Sequence, residues 1–470
     1  MSTLLAIAWQ VENWRGRKRW EKTKAEILAR GDSLDWRTFI PEAVPDEENA
    51  AMHPVFDVTI AAHGPKQSSG CFPFHRDFEP LVKSYFRNFP NRPPIHQPRL
   101  DLEYWHRILV DGDEGNLPKD VKTLANEVLA ATDDVGTGIR AFSEAFSRPR
   151  CQWFPYHDQL FNEQADGQAV GGTPYFMEMA VQFTVATFVR SLANLETGNN
   201  SAAREAMIAS LRFSRSMDEN PLCVGALTSW GLGLEEVRYL PQLLRHPAWG
   251  EADLETLAGH LESPDFLDRI DKCLKLDRAS TIHYGTSIVS GRPLLSDATI
   301  GVTGRRDWKF YASVRLMPHG WIYQSMAADA DLWYEAHLHR YDSRLKRIVA
   351  TDFPDIHSKL ENRCIPYGFF ARRVFPKLAD PYYKAAIVQS QWDLCRVLCA
   401  LERHRRVHGE LPEKLEALVP EFLTGLPHDY VTGLPPHYRI GADGQAELAT
   451  LDWDKTGNPE TFLCRVPSSG

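Results

Sequence analysis

Residues 174–221 read PYFMEMAVQFTVATFVRSLANLETGNNSAAREAMIASLRFSRSMDENP, and this stretch predicts the fold. Its first half carries a long apolar stripe at helical spacing, which is typical of a helix that packs against a core. Gly198 interrupts the pattern, and alanine-rich helical spacing resumes at Ser201 and ends at Pro221. The sequence therefore predicts a hairpin of two helices, with Gly198 in a left-handed or closely packed turn. The apolar positions are Phe176, Met179, Ala180, Phe183, Ala186, Thr187, Leu192, Ala202, Ala206, Ala209, Leu211 and Phe213.

The small residues of this hairpin resemble those of one tetratricopeptide-type repeat. Leu192, Gly198, Ala202 and Ala206 have the spacing that lets two antiparallel helices approach closely. The neighbouring segments continue as helices without a second clear copy, so a regular solenoid is not expected. We predict a mainly α fold, an irregular helical bundle with repeat-like hairpins.

Glycine and proline positions set the other expected helices. Two shorter helices are expected, broken at Gly136 and Gly138, and a polar, glycine-rich loop is expected after Ser280. The last long helix is predicted to begin at the Asp380-Pro381 signal and to end at Gly409.

We divide the chain into four regions. A basic N-terminal helix and an extended arm occupy 1–50, and an irregular, proline-rich region with short helices occupies 51–165. A helical body occupies 166–405, including helix over about 320–350. The C-terminal module, with a small α+β fold, occupies 406–470, and strand is expected largely there.

Composition excludes one class of partner. The 470 residues are 43% hydrophobic with a net charge of −9 and a pI near 6.0, so the chain is globular and lacks the basic surplus that nucleic-acid binding requires. We expect no nucleic-acid partner.

Eight scattered cysteines form no CxxC pair, and Cys395 and Cys399 share one helix face, so we interpret the cysteines as small buried apolar residues.

The N-terminus combines a short apolar run with a basic, tryptophan-containing helix over Val11 to Arg30. The run MSTLLAIAW has nine residues, whereas a bilayer-spanning helix needs about 20. A basic helix that also carries tryptophan is typical of a membrane surface, and a solvated surface helix is the alternative. The cations expected to contact a membrane are Arg15, Arg17, Lys18 and Arg19.

Catalytic signatures are missing from the sequence. There is no GxSxG, HExxH, phosphate-binding loop or GxGxxG pattern. Two histidine-bearing stretches, Cys151 to His157 and Glu335 to His339, leave a hydrolase as the alternative function. On the expected helix, His337 and His339 point roughly 200° apart, which disfavours a shared metal.

The tail over 401–440, LERHRRVHGELPEKLEALVPEFLTGLPHDYVTGLPPHYRI, resembles the C-terminal half of the major pseudopilin of type II secretion. That resemblance implies a short helix, a crossover and a small antiparallel sheet. The chain lacks the cleavable apolar pilin N-terminus, so polymerisation like a pilin is not expected. The matching positions are Leu411, Pro412, Leu415, Leu418, Pro427, Asp429, Gly433, Pro435 and Tyr438.

Pseudopilins of this type bind calcium in their final loop, which implies a calcium site in TLDWDKTGNPE. Asp452, Asp454 and Thr456 alternate before Gly457, as in the first half of a calcium loop. The twelfth position is Leu463, so the bidentate carboxylate is missing. We expect either weak calcium binding or solvated turn residues.

The order of the motifs ENWRGRKRWEKTK and LDWRTFIP, the helical middle and this tail resembles a bacterial envelope-protein family. Members often carry a membrane helix before ENWRGR, so LLAIAW is interpreted as the remnant of an anchor. The resemblance implies no activity. We therefore predict a non-enzymatic, envelope-associated scaffold with a protein partner and no cofactor except a possible calcium ion. A cytoplasmic location is the alternative.

Overall fold

The protein is mainly helical, as the sequence predicted. The computed structural model describes residues 2–54, 100–110, 117–152, 173–221, 223–262, 264–290, 317–349, 381–441, 446–449 and 464–466. The α-helices are α1 (Ser2–Ala29), α2 (Leu102–Leu109), α3 (Val121–Ala131), α4 (Asp133–Ala145), α5 (Thr173–Thr197), α6 (Asn200–Arg215), α7 (Cys223–Leu244), α8 (Glu251–His260), α9 (Phe266–Val289), α10 (His319–Trp333) and α11 (Pro381–His408).

The remaining elements are short. The 3-10 helices are Trp36–Phe39, Ala50–Met52 and Leu415–Leu418, and a π-helical turn at Tyr334–Leu338 continues α10. The strands are β1 (Tyr341–Asp342), β2 (Arg347–Ile348), β3 (His437–Ile440), β4 (Ala446–Ala449) and β5 (Cys464–Val466). β1 and β2 form an antiparallel hairpin, and a second antiparallel sheet has the order β3-β4-β5.

The predicted hairpin is confirmed as α5 and α6. Gly198 has φ +82°, the left-handed conformation expected of a helix C-terminus. Asn199 caps α6, since its side-chain oxygen accepts the Ala202 N–H at 3.2 Å. Across the hairpin, the Ser191 hydroxyl donates to the Ala203 carbonyl at 3.0 Å. This bond needs the close approach that the small residues permit.

The largest apolar core joins this hairpin to the tail. Phe183 of α5, Phe213 of α6 and Leu398 of α11 belong to one buried cluster, which also extends to α2, α3 and α4. The tail contributes Leu411, Leu415, Leu418, Phe422, Leu423, Ala446 and Leu448 to the same cluster.

The break between the two shorter helices lies at Thr132, which corrects the expectation at Gly136 and Gly138. Asp133 and Asp134 occupy the first turn of α4, where carboxylates favour a helix start. Both glycines are buried inside α4, and a Cβ at Gly136 would be 2.5 Å from the Arg190 guanidinium. Gly136 therefore makes room for Arg190 instead of ending a helix.

Two other expectations near the middle of the chain were wrong in part. Helix α9 continues through Gly285 to Val289, where the polar loop was expected to begin, and residues 291–316 of that stretch lie outside the described residues. A Cβ at Gly285 would lie 2.6 Å from Met326, so the glycine permits close packing of α9 on α10. Residues 341–348 form the β1-β2 hairpin instead of helix, and Asp342 Oδ1 accepts the Arg344 N–H at 2.8 Å in its turn.

The tail contains the expected short helix, turn and sheet. Leu415–Leu418 is a 3-10 turn, and Gly433 has φ +74°. The Tyr438 hydroxyl donates to the Pro412 carbonyl at 2.7 Å, which holds β3 against the start of the tail. In the sheet, Tyr438 is paired with Leu448 of β4. The likeness to a pseudopilin stays a prediction.

Candidate membrane-contacting site

The first turns of α1 are apolar and exposed on every face. We call residues 3–11 the apolar end of α1; every residue in it is exposed. Leu4, Leu5 and Ile7 are 73%, 66% and 56% exposed, and Trp9 and Val11 are also exposed. Nine helical residues extend about 13 Å at ~1.5 Å per residue. Contiguous exposed apolar surfaces are a feature of membrane- and protein-contacting sites in general, which makes this segment the candidate site.

One open face of this segment continues to Trp14. The described residues that form this face carry no ionisable side chain: they are Thr3, Ala6, Ile7, Gln10, Val11 and Trp14.

Two glycines hold α1 against the start of α10. A Cβ at Gly16 would lie 2.0 Å from the Gly320 carbonyl oxygen, and a Cβ at Gly320 would lie 1.9 Å from the Glu12 carbonyl oxygen. Only glycine fits at either position without moving a helix. The Gly320 N–H also donates to the side-chain oxygen Oδ1 of Asn13 at 2.8 Å, which adds a hydrogen bond to the close approach of the two backbones.

Glu12 adds a polar contact at the same crossing. Its Oε2 accepts the indole N–H of Trp321 at 3.2 Å and the Gln324 amide N–H at 3.3 Å. Further along α1, Trp20 and Ile27 are buried in an apolar cluster with α9 and α10. The body therefore holds residues 12–27 of α1, while the apolar end projects into solvent.

Four exposed cations follow the apolar end directly. We call Arg15, Arg17, Lys18 and Arg19 the basic segment. Arg15 pairs with Glu12 at 3.0 Å and Arg19 with Asp331 at 3.3 Å, but their side chains are 59% and 47% exposed, so these pairs are weak. Lys18 Nζ lies 5.2 Å from the centre of the Trp14 ring. The predicted membrane-surface cations thus share one exposed segment.

The first hydrolase candidate has little support in the described residues. Cys151 is buried, and burial raises the pKa of its thiol, so it is not a ready thiolate nucleophile. Its neighbours from 153 to 157, including His157, lie outside the described residues.

The second candidate, Glu335 to His339, is split between different environments. Glu335 is exposed, whereas His337 is fully buried, and burial and Arg340 lower the His337 pKa to about 3. His339 Nδ1 lies 2.7 Å from the Tyr334 carbonyl oxygen. The π-helical turn therefore does not bring these three side chains to one accessible face.

Side chains that could bind a metal ion are also not grouped in the described part of the chain. Within the described ranges, no group of three or more His, Cys, Asp and Glu side chains is arranged to hold a metal ion. The predicted calcium ligands Asp452, Asp454 and Thr456 lie outside those ranges.

Sequence reasoning found the basic segment and missed the crossing that supports it. Glu12, Asn13 and Gly320 were not predicted to act together, because they meet from positions about 300 residues apart. A glycine inside a helix, as at Gly16, is the one local signal that could have indicated a close helix contact.

Known proteins give no further guide to this site. No protein-family model, curated protein or solved structure matches the chain. Among the described residues, no helix has the length and apolar content needed to cross a bilayer.

Proposed function

We propose that the protein is a non-enzymatic scaffold of the cell envelope that rests on an anionic membrane surface through α1 and presents its helical body to a protein partner. The observation that carries this proposal is the exposed apolar end of α1, which the basic segment follows within one helical turn. The second half of the proposal rests on the helical body, whose α5-α6 hairpin is similar to one unit of the helical repeats that supply binding surfaces in other proteins.

The exposed apolar side chains and the basic segment would both contribute to the free energy of membrane binding. Burying one Leu, Ile or Val side chain in an apolar phase contributes about 1.5–3 kcal/mol. Each Lys or Arg near an anionic surface contributes about 1 kcal/mol, and salt screens that part. Exposed apolar side chains together with four cations therefore supply the two signals that stable membrane attachment takes, whereas one signal alone gives only marginal, reversible binding.

Vesicle flotation tests the electrostatic part. We expect the protein to float with phosphatidylcholine vesicles containing phosphatidylglycerol and to bind less at high salt. Changing all four cations of the basic segment to Gln should lower binding to these vesicles and flatten its salt dependence. A control with Lys119, Lys122, Arg344 and Lys414 changed to Gln removes four exposed cations elsewhere and should float like wild type.

A second variant tests the apolar part. Leu5→Ser with Trp9→Ser should reduce flotation with both neutral and anionic vesicles, because it removes exposed apolar area without changing charge. The proposal is wrong if wild type floats with neither vesicle, or if the basic-segment variant binds as well as wild type does.

A further inference from the structure

Two histidines lie one above the other at the carboxyl end of α11. His404 and His408 are four residues apart on the helix, and their ring centres are 4.3 Å apart at an interplanar angle of 42°. Phe422 of the tail packs edge-on against both rings, at 5.5 and 6.0 Å. The rings therefore share one partly exposed face, where α11 meets the tail.

The hydrogen bond of His404 fixes which ring nitrogen can bind a cation. His404 Nδ1 lies 2.9 Å from the Glu410 carbonyl oxygen. A carbonyl oxygen only accepts, so Nδ1 must carry the proton, and in the neutral ring Nε2 keeps its lone pair. Metal-binding histidines are held in the same way, with the second ring nitrogen donating to a carbonyl or carboxylate.

The spacing of the rings suits a single ion. Zinc–nitrogen bonds are about 2.0–2.1 Å long, so two nitrogens bound to one ion lie at most about 4 Å apart. With the ring centres 4.3 Å apart, a side-chain rotation of the exposed His408 brings a nitrogen into that range. The site has two protein ligands, and water would complete the coordination.

The end of α11 favours a cation. Both rings lie in the last turns of a 28-residue helix, whose carboxyl end carries a partial negative charge. Three arginines oppose this effect in part: Arg405 pairs with the buried Glu402 at 2.7 Å and Arg403 with Glu251 at 2.8 Å, whereas Arg406 donates to the Pro247 and His246 carbonyls at 3.3 Å.

We propose that His404 and His408 form a surface site for a divalent transition metal of the kind that imidazole prefers, such as Zn²⁺, Ni²⁺ or Cu²⁺. The bound ion would hold the His404 ring in the orientation that donates to the Glu410 carbonyl, in the turn that follows α11. This site is separate from the calcium loop expected in the tail and does not depend on membrane binding.

Calorimetric titration of the full chain with ZnCl₂ tests the proposal. We expect wild type to bind one more equivalent of Zn²⁺ than the double variant His404→Gln/His408→Gln. The single variant His408→Gln should weaken that equivalent by ~10-fold or more, since losing a ligand costs at least as much as losing its supporting hydrogen bond. His408 is exposed, so its replacement should leave the fold intact, which circular dichroism will check.

The matched control is His319→Gln/His437→Gln, which removes two exposed histidines from different elements. It should titrate like wild type. A double variant with the same stoichiometry and affinity as wild type would overturn the proposal.

Discussion

Gly198 shows how strongly one backbone angle constrains a single position. Its φ of +82° is strained for a β-branched side chain, although no atom lies near the position of a Cβ. Gly198→Val should therefore destabilise the protein by ~1 kcal/mol or more. Thermal unfolding measures the effect. Gly198→Asn is the control, because Asn tolerates this conformation, and equal melting of the Val variant and wild type would show that the turn is not strained.

The buried carboxyl of Glu236 in α7 should make the free energy of unfolding depend on pH. Its carboxyl is buried beside the Ser210 and Ser214 hydroxyls, and burial raises its pKa to about 8 from 4.5. The folded state thus keeps a proton that the unfolded state has released, so this group lowers stability as pH rises from about 4.5 to 8. Arg215 and Asp218 also act on this carboxyl.

Glu236→Gln removes that titration while keeping the shape of the side chain. The melting temperature of the variant, relative to wild type, should be higher at pH 8.5 than at pH 5. Glu205→Gln, at an exposed position of α6, makes the same charge change and should show no such trend. A constant difference between the Glu236 variant and wild type across this range would contradict the assignment.

At the scale of secondary-structure elements, the close packing of α1 on α10 can be tested with one substitution. Gly16→Ala places a methyl group 2.0 Å from the Gly320 carbonyl oxygen, so α1 must shift away from α10. The expected cost is about 1–3 kcal/mol, which corresponds to roughly 5- to 150-fold faster hydrogen exchange of the α1 amides. Mass-spectrometric hydrogen exchange measures this change.

Gly259→Ala in α8 is the control for the crossing. Nothing lies within 4 Å of its Cβ position, so the change should leave exchange in α1 unaltered and should stabilise α8 by up to about 1 kcal/mol. Unchanged exchange of α1 in the Gly16 variant would mean that the two backbones are not in contact.

Local signals account for the elements that the sequence predicted. The hairpin of α5 and α6 and the ends of α11 follow from apolar spacing, Gly198, Pro381 and Gly409. The β1-β2 hairpin could not be found in this way, because distant contacts stabilise it: the Ile348 N–H donates to the Tyr430 carbonyl at 2.8 Å. The same holds for the candidate site. Its cations could be predicted from the sequence, whereas the crossing of α1 and α10 could not, because it depends on residues far apart in the chain.

At the scale of the whole molecule, the shared core predicts cooperative unfolding. Leu418 of the tail is fully buried in the cluster that contains Phe183 and Phe213. Leu418→Ala should cost about 2–5 kcal/mol and should shift one common transition in scanning calorimetry. Leu434→Ala, at a position 55% exposed, should change stability by less than about 0.5 kcal/mol. Two separate transitions, of which only one moves, would show that the tail unfolds independently.

The same shared core has a consequence for synthesis of the chain. Roughly 300 residues separate Leu102 of α2 from Leu411, where the tail begins to fill the cluster. At about 5–20 residues per second, a ribosome needs on the order of 15–60 s to make that interval. During this time the nascent helices expose the apolar faces that the tail later covers. Chaperones therefore have a defined period in which to bind the growing chain, and a transcript that stops before Leu411 would yield a product that proteases recognise as incomplete.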